Sequence, residues 1–449
     1  MRQRSIVGPI ILILVGVLFL ANNLRPDVPM FRWLSMYWPF LLIAWGLLRL
    51  IEIFINYKRG LPPPRHGLGG GEVVLIVFIC LIGSAMYAAN KHIPHLRIGP
   101  WGAQGVEMFG EQFDYTLNGD LAASNVKIVV VENNRGNVRL TGSDTPSIRV
   151  TGRKTIRAYN KSDADTAQKE TPFEMVQQGD RVVIRTNLER ASGDRRISAD
   201  IEVSAPKGVS FQARGRYGDY DITDVDGGVD ISSDNAGVRL NRIGGDVKVD
   251  LRRSDIVRAV GVKGQVTLLG RGGDVELEDI AGQVSVNGAY SGDLVFKNVA
   301  KPLHFESRQT DFRIERLPGQ VRIDLGDINA TDLVGPIRLV TKSRDVTLEK
   351  FTNSLEIELE RGDVQLRPGN VPLAKMDVRS RSGNLEVSVP AAAKFEIKAS
   401  TGRGEAHNDY GAPLQVETTG AGSAVKGAVG QGPVIAMAVD RGSVRVRKE

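Results

Sequence analysis

Apolar residues are spaced in two different ways along this chain, and the change of spacing divides it. Near the amino terminus they run together. SIVGPIILILVGVLFLANN (Ser5 to Asn23), MYWPFLLIAWGLLRLIEIFI (Met36 to Ile55) and VVLIVFICLIGSAMYAA (Val73 to Ala89) are each about long enough for a ~30 Å hydrocarbon core, the third being marginal in length. They predict a three-helix membrane anchor in residues 1–89, with transmembrane α-helices at about 6–22, 36–55 and 73–89. Arg49 and Glu52 in the second run lie at i and i+3 near one end, where they can pair or reach the interface. Residues 90–123, rich in glycine and polar side chains, read as a juxtamembrane linker.

Beyond the linker, apolar and polar residues alternate in short strands, and the alternation repeats. DYDI at Asp219, GVRL at Gly237, DVEL at Asp274, DLVF at Asp293, DFRI at Asp311, DINA at Asp327, DVTL at Asp345 and DVQL at Asp363 recur at steps near 18 residues, with two coils between Gly237 and Asp274. A second strand follows about nine residues later, as in VDI at Val229, VKV at Val247 and VSV at Val284. In the coil GGDVELEDIAGQVSVNGA, Val275 and Leu277 face one way and Glu276 the other, and Ile280 supplies a further inward position. Val225, Ile243, Leu317 and Leu333 do the same in other coils. A coil of this kind has no hydrogen-bonding partner of its own and is stable only when the next stacks on it at ~4.8 Å.

The pattern predicts an all-β parallel β-solenoid of about 18 residues per coil. A β-sandwich of hairpins is the alternative, but it does not require the same residue types to recur in register. Residues 124–216 are expected to be leading strands that cap the solenoid, 217–370 its regular coils, and 371–449 terminal coils with a loop. The coil ending DLGDINA is two residues short, so a tightened corner is expected there.

Charge orients the amino-terminal region. Arg2, Arg4, Lys58, Arg59 and Arg65 fall on one side of the three spans, and Arg25, Arg32, Lys91 and Arg97 on the other. That margin favours an inside amino terminus and places everything after Ala89 outside. Trp33, Tyr37 and Trp38 sit where an interfacial aromatic belt would be. A cleaved signal peptide fits less well, because FLANNLRP offers no small-x-small site and a second apolar run follows at once.

GPIILILVGVLFLANNL followed by YWPFLLIAWGLLRLIE, over Gly8 to Glu52, resembles the helical hairpin of the LiaI/LiaF-like transmembrane region. ISADIEVSAPKGVSFQARGRYGDYDITDVDGGVDI and the coils after it, from about Val126 to the carboxyl terminus, resemble a bacterial putative-adhesin β-strand-repeat domain of unknown function. Together these resemblances imply a multi-pass protein of the bacterial inner membrane with a periplasmic carboxyl-terminal domain. They imply a binding or scaffold module of the envelope linked to the envelope stress response, or an adhesin with no signalling role. Neither carries a catalytic residue to transfer.

Composition narrows the chemistry. Of 449 residues, 50 are glycine and 6% aromatic, which suits short strands joined by tight turns. The net charge is +6 with both signs interspersed, and no basic run interleaved with aromatics marks a nucleic-acid groove. The single cysteine, Cys80, excludes a disulfide framework or a cysteine metal site. Asp219, Asp274, Asp293, Asp311, Asp327, Asp345 and Asp363 would stack along one edge, where a calcium ladder is conceivable. Asp before a strand more often closes a turn, and the G-G-x-G-x-D repeats of calcium solenoids are absent. His92 and His95 lack a third ligand, and His304 and His407 are isolated. No motif of a hydrolase, metalloprotease or nucleotide-binding site is present, so a polysaccharide-active enzyme is the less favoured reading. No catalytic, cofactor-binding or metal residue is assigned. The expected partners are the lipid bilayer, other envelope or stress-response membrane proteins, and cell-wall polymers, with no nucleic acid and no cofactor.

Overall fold

The computed structural model describes residues 111–191 and 197–449, with scattered helical positions between Ile43 and Leu81. It divides into one unit of Met1–Glu111 with Arg157–Lys161 and another of Gln112–Ile156 with Ser162–Glu449. The helices expected at 6–22, 36–55 and 73–89 lie almost wholly outside the described residues, and the three-helix expectation is corrected. Among the described residues the one helix with a defined extent is α1 (Lys161–Glu170), which is polar and buries only Ala164. No described helix is long and apolar enough to cross a membrane. Such a crossing needs ~20 predominantly apolar residues in one run.

In the second unit each coil contributes one strand to each of two sheets. β9 (Tyr220–Val225), β11 (Val238–Ile243), β13 (Ile256–Val262), β15 (Asp274–Ile280) and β17 (Leu294–Val299) pair in parallel as sheet A. β10 (Val229–Asn235), β12 (Val247–Arg253), β14 (Val266–Gly272), β16 (Val284–Tyr290) and β18 (Leu303–Glu306) form the parallel sheet B. The step is 18 residues from Val229 to Val247 and 19 from Val247 to Val266. Val275, Leu277, Val284 and Val286 are buried to 1% exposure or less, with the equivalent residues of the coils above and below.

The third inward residue depends on a left-handed step. Strict alternation after Tyr220 and Ile222 would send Asp224 inward, yet Val225 is the buried one. Asp224 takes φ 61°, and the column continues through Arg242 (54°), Gly261 (71°), Asp279 (56°), Asn298 (50°), Asp332 (55°) and Lys350 (50°). One left-handed residue flips the parity of the strand, so the next side chain enters the core.

The stack is not uniformly parallel, which corrects the expected solenoid. β19 (Thr310–Ile323) returns antiparallel along both β18 and β17, pairing Leu303 with Ile314 and Leu294 with Ile323. β20 (Asp327–Ser343) reverses again, antiparallel to β19, and then runs parallel to β21 (Asp345–Phe351) and β22 (Leu355–Arg361). The short coil at DLGDINA is therefore no tightened corner: one level of the stack runs backwards, with hairpin turns at Ser307–Gln309 and Asp324–Gly326 where neighbouring levels cross between sheets.

Both ends are interleaved. At the start, the coil of β2 (Ile128–Arg135) and β3 (Val138–Ser143) lies between β6 (Arg181–Arg185) with β7 (Ile197–Pro206) and β8 (Ser210–Tyr217) with β9. At the finish, β30 (Val434–Arg441) and β31 (Val444–Lys448) lie between β24 (Met376–Ser382) with β25 (Leu385–Val389) and β26 (Phe395–Arg403) with β27 (Ala406–Asp409). The chain skips one level at each place through a proline turn, Val209 N donating to Pro206 O and Ala393 N to Pro390 O. The skipped level is filled by a segment remote in sequence.

At the sheet B to sheet A corner a column of glycines is obligatory. Gly218, Gly362, Gly383, Gly442 and Gly404 have φ between 138° and 146°, a region essentially closed to other residues. A Cβ on Gly362 would overlap the carbonyl oxygen of Arg344 in the next level. Gly362→Ala should lower unfolding free energy by at least ~2 kcal/mol. Gly179→Ala, in a left-handed turn with open space around it, should cost only about 1 kcal/mol. Denaturant titration followed by circular dichroism checks both, and equal effects would contradict the overlap.

Candidate functional site

The expected aspartate column resolves into structural roles. Asp219 accepts the backbone N–H of Gly237 at 2.8 Å, Asp274 that of Asp293 at 3.0 Å, Asp345 that of Asp363 at 2.9 Å, and Asp363 that of Asn384 at 2.7 Å. Each carboxylate thus ties its level to the next. Asn137 and Asn384 continue the scheme towards Asp219 and Ser443. Asp293 instead pairs with Arg322 at 2.5 Å, and Asp327 donates its N–H to Asp324 at 2.7 Å. No group of three or more His, Cys, Asp or Glu suited to a metal occurs among the described residues.

The isolated histidines each find acids. His304 Nε2 lies 3.1 Å from Asp311 and 3.7 Å from Glu306, and Arg313 grips Asp311 through two contacts of 3.0 Å. Burial pushes the Asp311 carboxyl up, but Arg313 and His304 outweigh it and hold the group below the usual carboxylate range. His407 is 3.6 Å from Glu405. His92 and His95 lie outside the described residues, and Cys80 is a free, half-buried thiol on a helical position.

A trough of about 620 Å³ lies on the outer face of sheet A. Six strands supply its floor: β1 (Glu111–Ala122), β4 (Ser147–Ala158), β7, β3, β9 and β11. Register places outward residues in a row, with Thr151 beside Glu202, Glu202 beside Arg139, Arg139 beside Asp221 and Asp221 beside Arg239. Arg139 contacts Glu202 at 3.2 Å and Asp221 at 3.5 Å, while Arg239 reaches Asp219 at 3.6 Å. Asn118, Asn137, Arg153 and Asp200 add further polar groups to the lining. These side chains are about half exposed or more, so the pairs are worth ~0–1 kcal/mol and can exchange partners readily. The row offers alternating fixed donors and acceptors, and its lining contains no histidine or cysteine.

Apart from Asp219, the trough residues belong to no sequence motif, because Arg139, Glu202 and Asp221 come from separate coils. The usable signal was the charged middle residue of VRL, IEV, YDI and VRL at Val138, Ile201, Tyr220 and Val238.

A two-sheet coil stack bearing a polar surface trough defines the class: a solenoid-like β-domain with an exposed polar groove. Two family models match parts of the chain. Residues 260–445 match the Toastrack DUF4097 family and residues 7–103 match the LiaF transmembrane domain. The chain is therefore similar to a LiaF transmembrane domain near its amino terminus and to a Toastrack domain over residues 260–445, each match covering less than half of its length. It is similar to a "putative cell adhesion protein" from Clostridium sporogenes ATCC 15579, at 8% identity over 76% of this chain and 100% of that one, TM-score 0.19. It is also similar to a "putative adhesin" from Parabacteroides merdae ATCC 43184, at 10% identity over 74% and 95%, TM-score 0.19. At that score neither likeness specifies a shared arrangement of the whole chain. No curated protein matches.

Beneath the trough, β4 turns Arg153 outward and Lys154 inward. Lys154 is fully buried, donates to the carbonyl and hydroxyl oxygens of Thr171, and has no carboxylate partner. Burial pulls its ammonium from 10.5 down to about 8. Below about pH 8 both folded and unfolded states hold this proton, so it gives no slope. Between about 8 and 10.5 the unfolded state holds more of it, and stability rises with pH. The gain is on the order of 3 kcal/mol. Lys154→Met should abolish that rise in a difference titration of stability from pH 7 to 10.5. An unchanged slope would show that Lys154 is neutralised in some other way.

Proposed function

We propose that this protein is a membrane-anchored binding and scaffold module of the bacterial envelope. Its β-domain faces away from the cytoplasm and takes a glycan strand of the cell wall in the sheet A trough. The observation that carries the reading is the row Glu202, Arg139, Asp221 and Arg239, in which donors and acceptors alternate at the strand spacing. Sugar hydroxyls both donate and accept, so a polyhydroxylated chain can satisfy both kinds of group in turn. The LiaF-type region supports coupling to the envelope stress response. The flanking charges of its apolar runs support the outward placement of the β-domain.

R139A/R239A should weaken cosedimentation with phosphate-stripped cell-wall sacculi on the order of a hundredfold, two charged hydrogen-bonding groups together contributing about 3 kcal/mol. Its melting should hardly change, since both side chains are exposed. Undiminished retention would remove the trough from the reading. Exchange of residues 7–103 for an unrelated anchor should silence stress-gene output while wall binding persists. Unchanged output would leave a wall-binding adhesin with no signalling role, and protection of the β-domain from protease in spheroplasts would overturn its outward placement.

A further inference from the structure

Charges on the flat faces of the stack are matched between levels. Arg242 pairs with Asp224, Arg258 with Glu276, Lys297 with Glu278 and Arg367 with Glu349, at 2.5 to 3.1 Å. The sheet B to sheet A corner breaks this rule after the reversed level. Arg361, Arg441 and Arg403 leave that corner in one register column with Ser343 and Ser382, and Lys342 and Arg381 leave it one residue earlier, level with Glu360 and Asp440; all five cations are exposed, and their side chains make no ion pair or hydrogen bond among the described residues. Arg441 and Arg403 are direct register partners, and like charges placed opposite each other destabilise a sheet.

A second observation lies in the same corner. Arg344 is 7% exposed, and its Nε and Nη1 are buried with no hydrogen-bond partner. Leaving such donors unmet costs ~1–3 kcal/mol each, more for a charged group. Asp324 is the acid that acts on it electrostatically, but Asp324 spends Oδ1 on the N–H groups of Gly326 and Asp327.

We propose that this corner binds a linear phosphate polymer, the four guanidinium groups and the Lys342 ammonium engaging successive phosphates along it. Five levels span ~19 Å at the strand spacing, enough for several phosphates. Guanidinium forks match phosphate oxygens in bidentate fashion. The acids nearby decide the shape of the partner. Asp345 and Asp363 flank the row on one side, tied to backbone N–H groups, and Glu360 and Asp440 leave sheet B beside it, with Glu405 beyond, 3.6 Å from His407. A uniformly anionic membrane would meet these carboxylates as well as the arginines, whereas a single chain lying in the row would not. No aromatic side chain stands in the row to stack bases, which disfavours nucleic acid.

The proposal rests on the reading of the domain as a binding module but uses a surface separate from the trough. The test uses the full chain in zwitterionic nanodiscs with long-chain inorganic polyphosphate, measured by calorimetry across a salt series. R361A/R403A/R441A should bind at least about tenfold more weakly, with a shallower salt dependence. R258A/K297A/R367A, which removes as much charge from paired rows, should bind as the wild type does. Retention on phosphate-stripped sacculi should be unchanged in R361A/R403A/R441A, which separates this idea from the trough. If the triple variant melts early, the single Arg381→Glu exchange carries the same test. Absence of wild-type binding at low salt, equal loss in the two triple variants, or a preference for phosphatidylglycerol vesicles or single-stranded DNA over polyphosphate would each overturn it.

Discussion

The structure depends on one constraint: a coil of two short strands has no hydrogen-bonding partner except the coil above or below it. Every backbone group along the rod must therefore be met at the ~4.8 Å spacing of neighbouring strands. The aspartate and asparagine contacts across levels, the glycine corner and the left-handed column all follow. At the corner the ladder would leave an N–H without a strand partner, and the Asp345 or Asp363 carboxylate supplies one. There too a level approaches the carbonyl of the next so closely that only glycine fits. Repetition of Asp and Gly is thus the cost of stacking, and it argues against reading either as a ligand site.

The same constraint makes the ends the weak points, since a terminal level has an unmet face. Interleaving answers this. Because β2 and β3 lie between levels that follow them in sequence, and β30 and β31 between levels that precede them, neither terminal level can form before a remote segment arrives. The end levels are then closed by long-range pairing, and peeling from a chain terminus must disrupt two neighbours at once. Beyond them, antiparallel hairpins such as β5 (Glu174–Gln178) with β6, and β28 (Gln415–Thr419) with β29 (Gly422–Val429), cover what remains.

Much of this was legible in particular residues. The inward roles of Val275, Leu277, Ile280, Val284 and Val286 follow from alternation, and the step near 18 residues from recurrence. Direction was not legible, because alternation of period two is the same read either way. DFRI at Asp311 satisfies the coil pattern while running antiparallel to its neighbours. The turns at Pro206 and Pro390 each follow an alternating strand, IEVSAP and LEVSVP, where a proline marks a strand end. That each skips a level could not be seen without knowing what fills the gap. The trough was hidden for a related reason: Arg139 and Glu202, 63 residues apart, are adjacent only after interleaving.

The division of labour between inward and outward rows explains how such a stack carries function without a conventional pocket. Inward positions are fixed by packing at every level, so change there is costly. Outward positions are held in register by the same ladder yet contribute little to stability, since exposed ion pairs are worth ~0–1 kcal/mol. A rod can therefore place charges in rows of fixed spacing and vary them almost freely. One row in sheet A alternates in sign across the trough, and one corner accumulates arginine without acids within pairing distance. The reversed level marks where that corner changes character: β19 and β20 replace crossings by hairpins there, and Arg344 lies beside the turns with two donors unmet. A defect in the repeat is where the stacking rule no longer dictates the residue, and it is there that a buried guanidinium replaces the corner glycine.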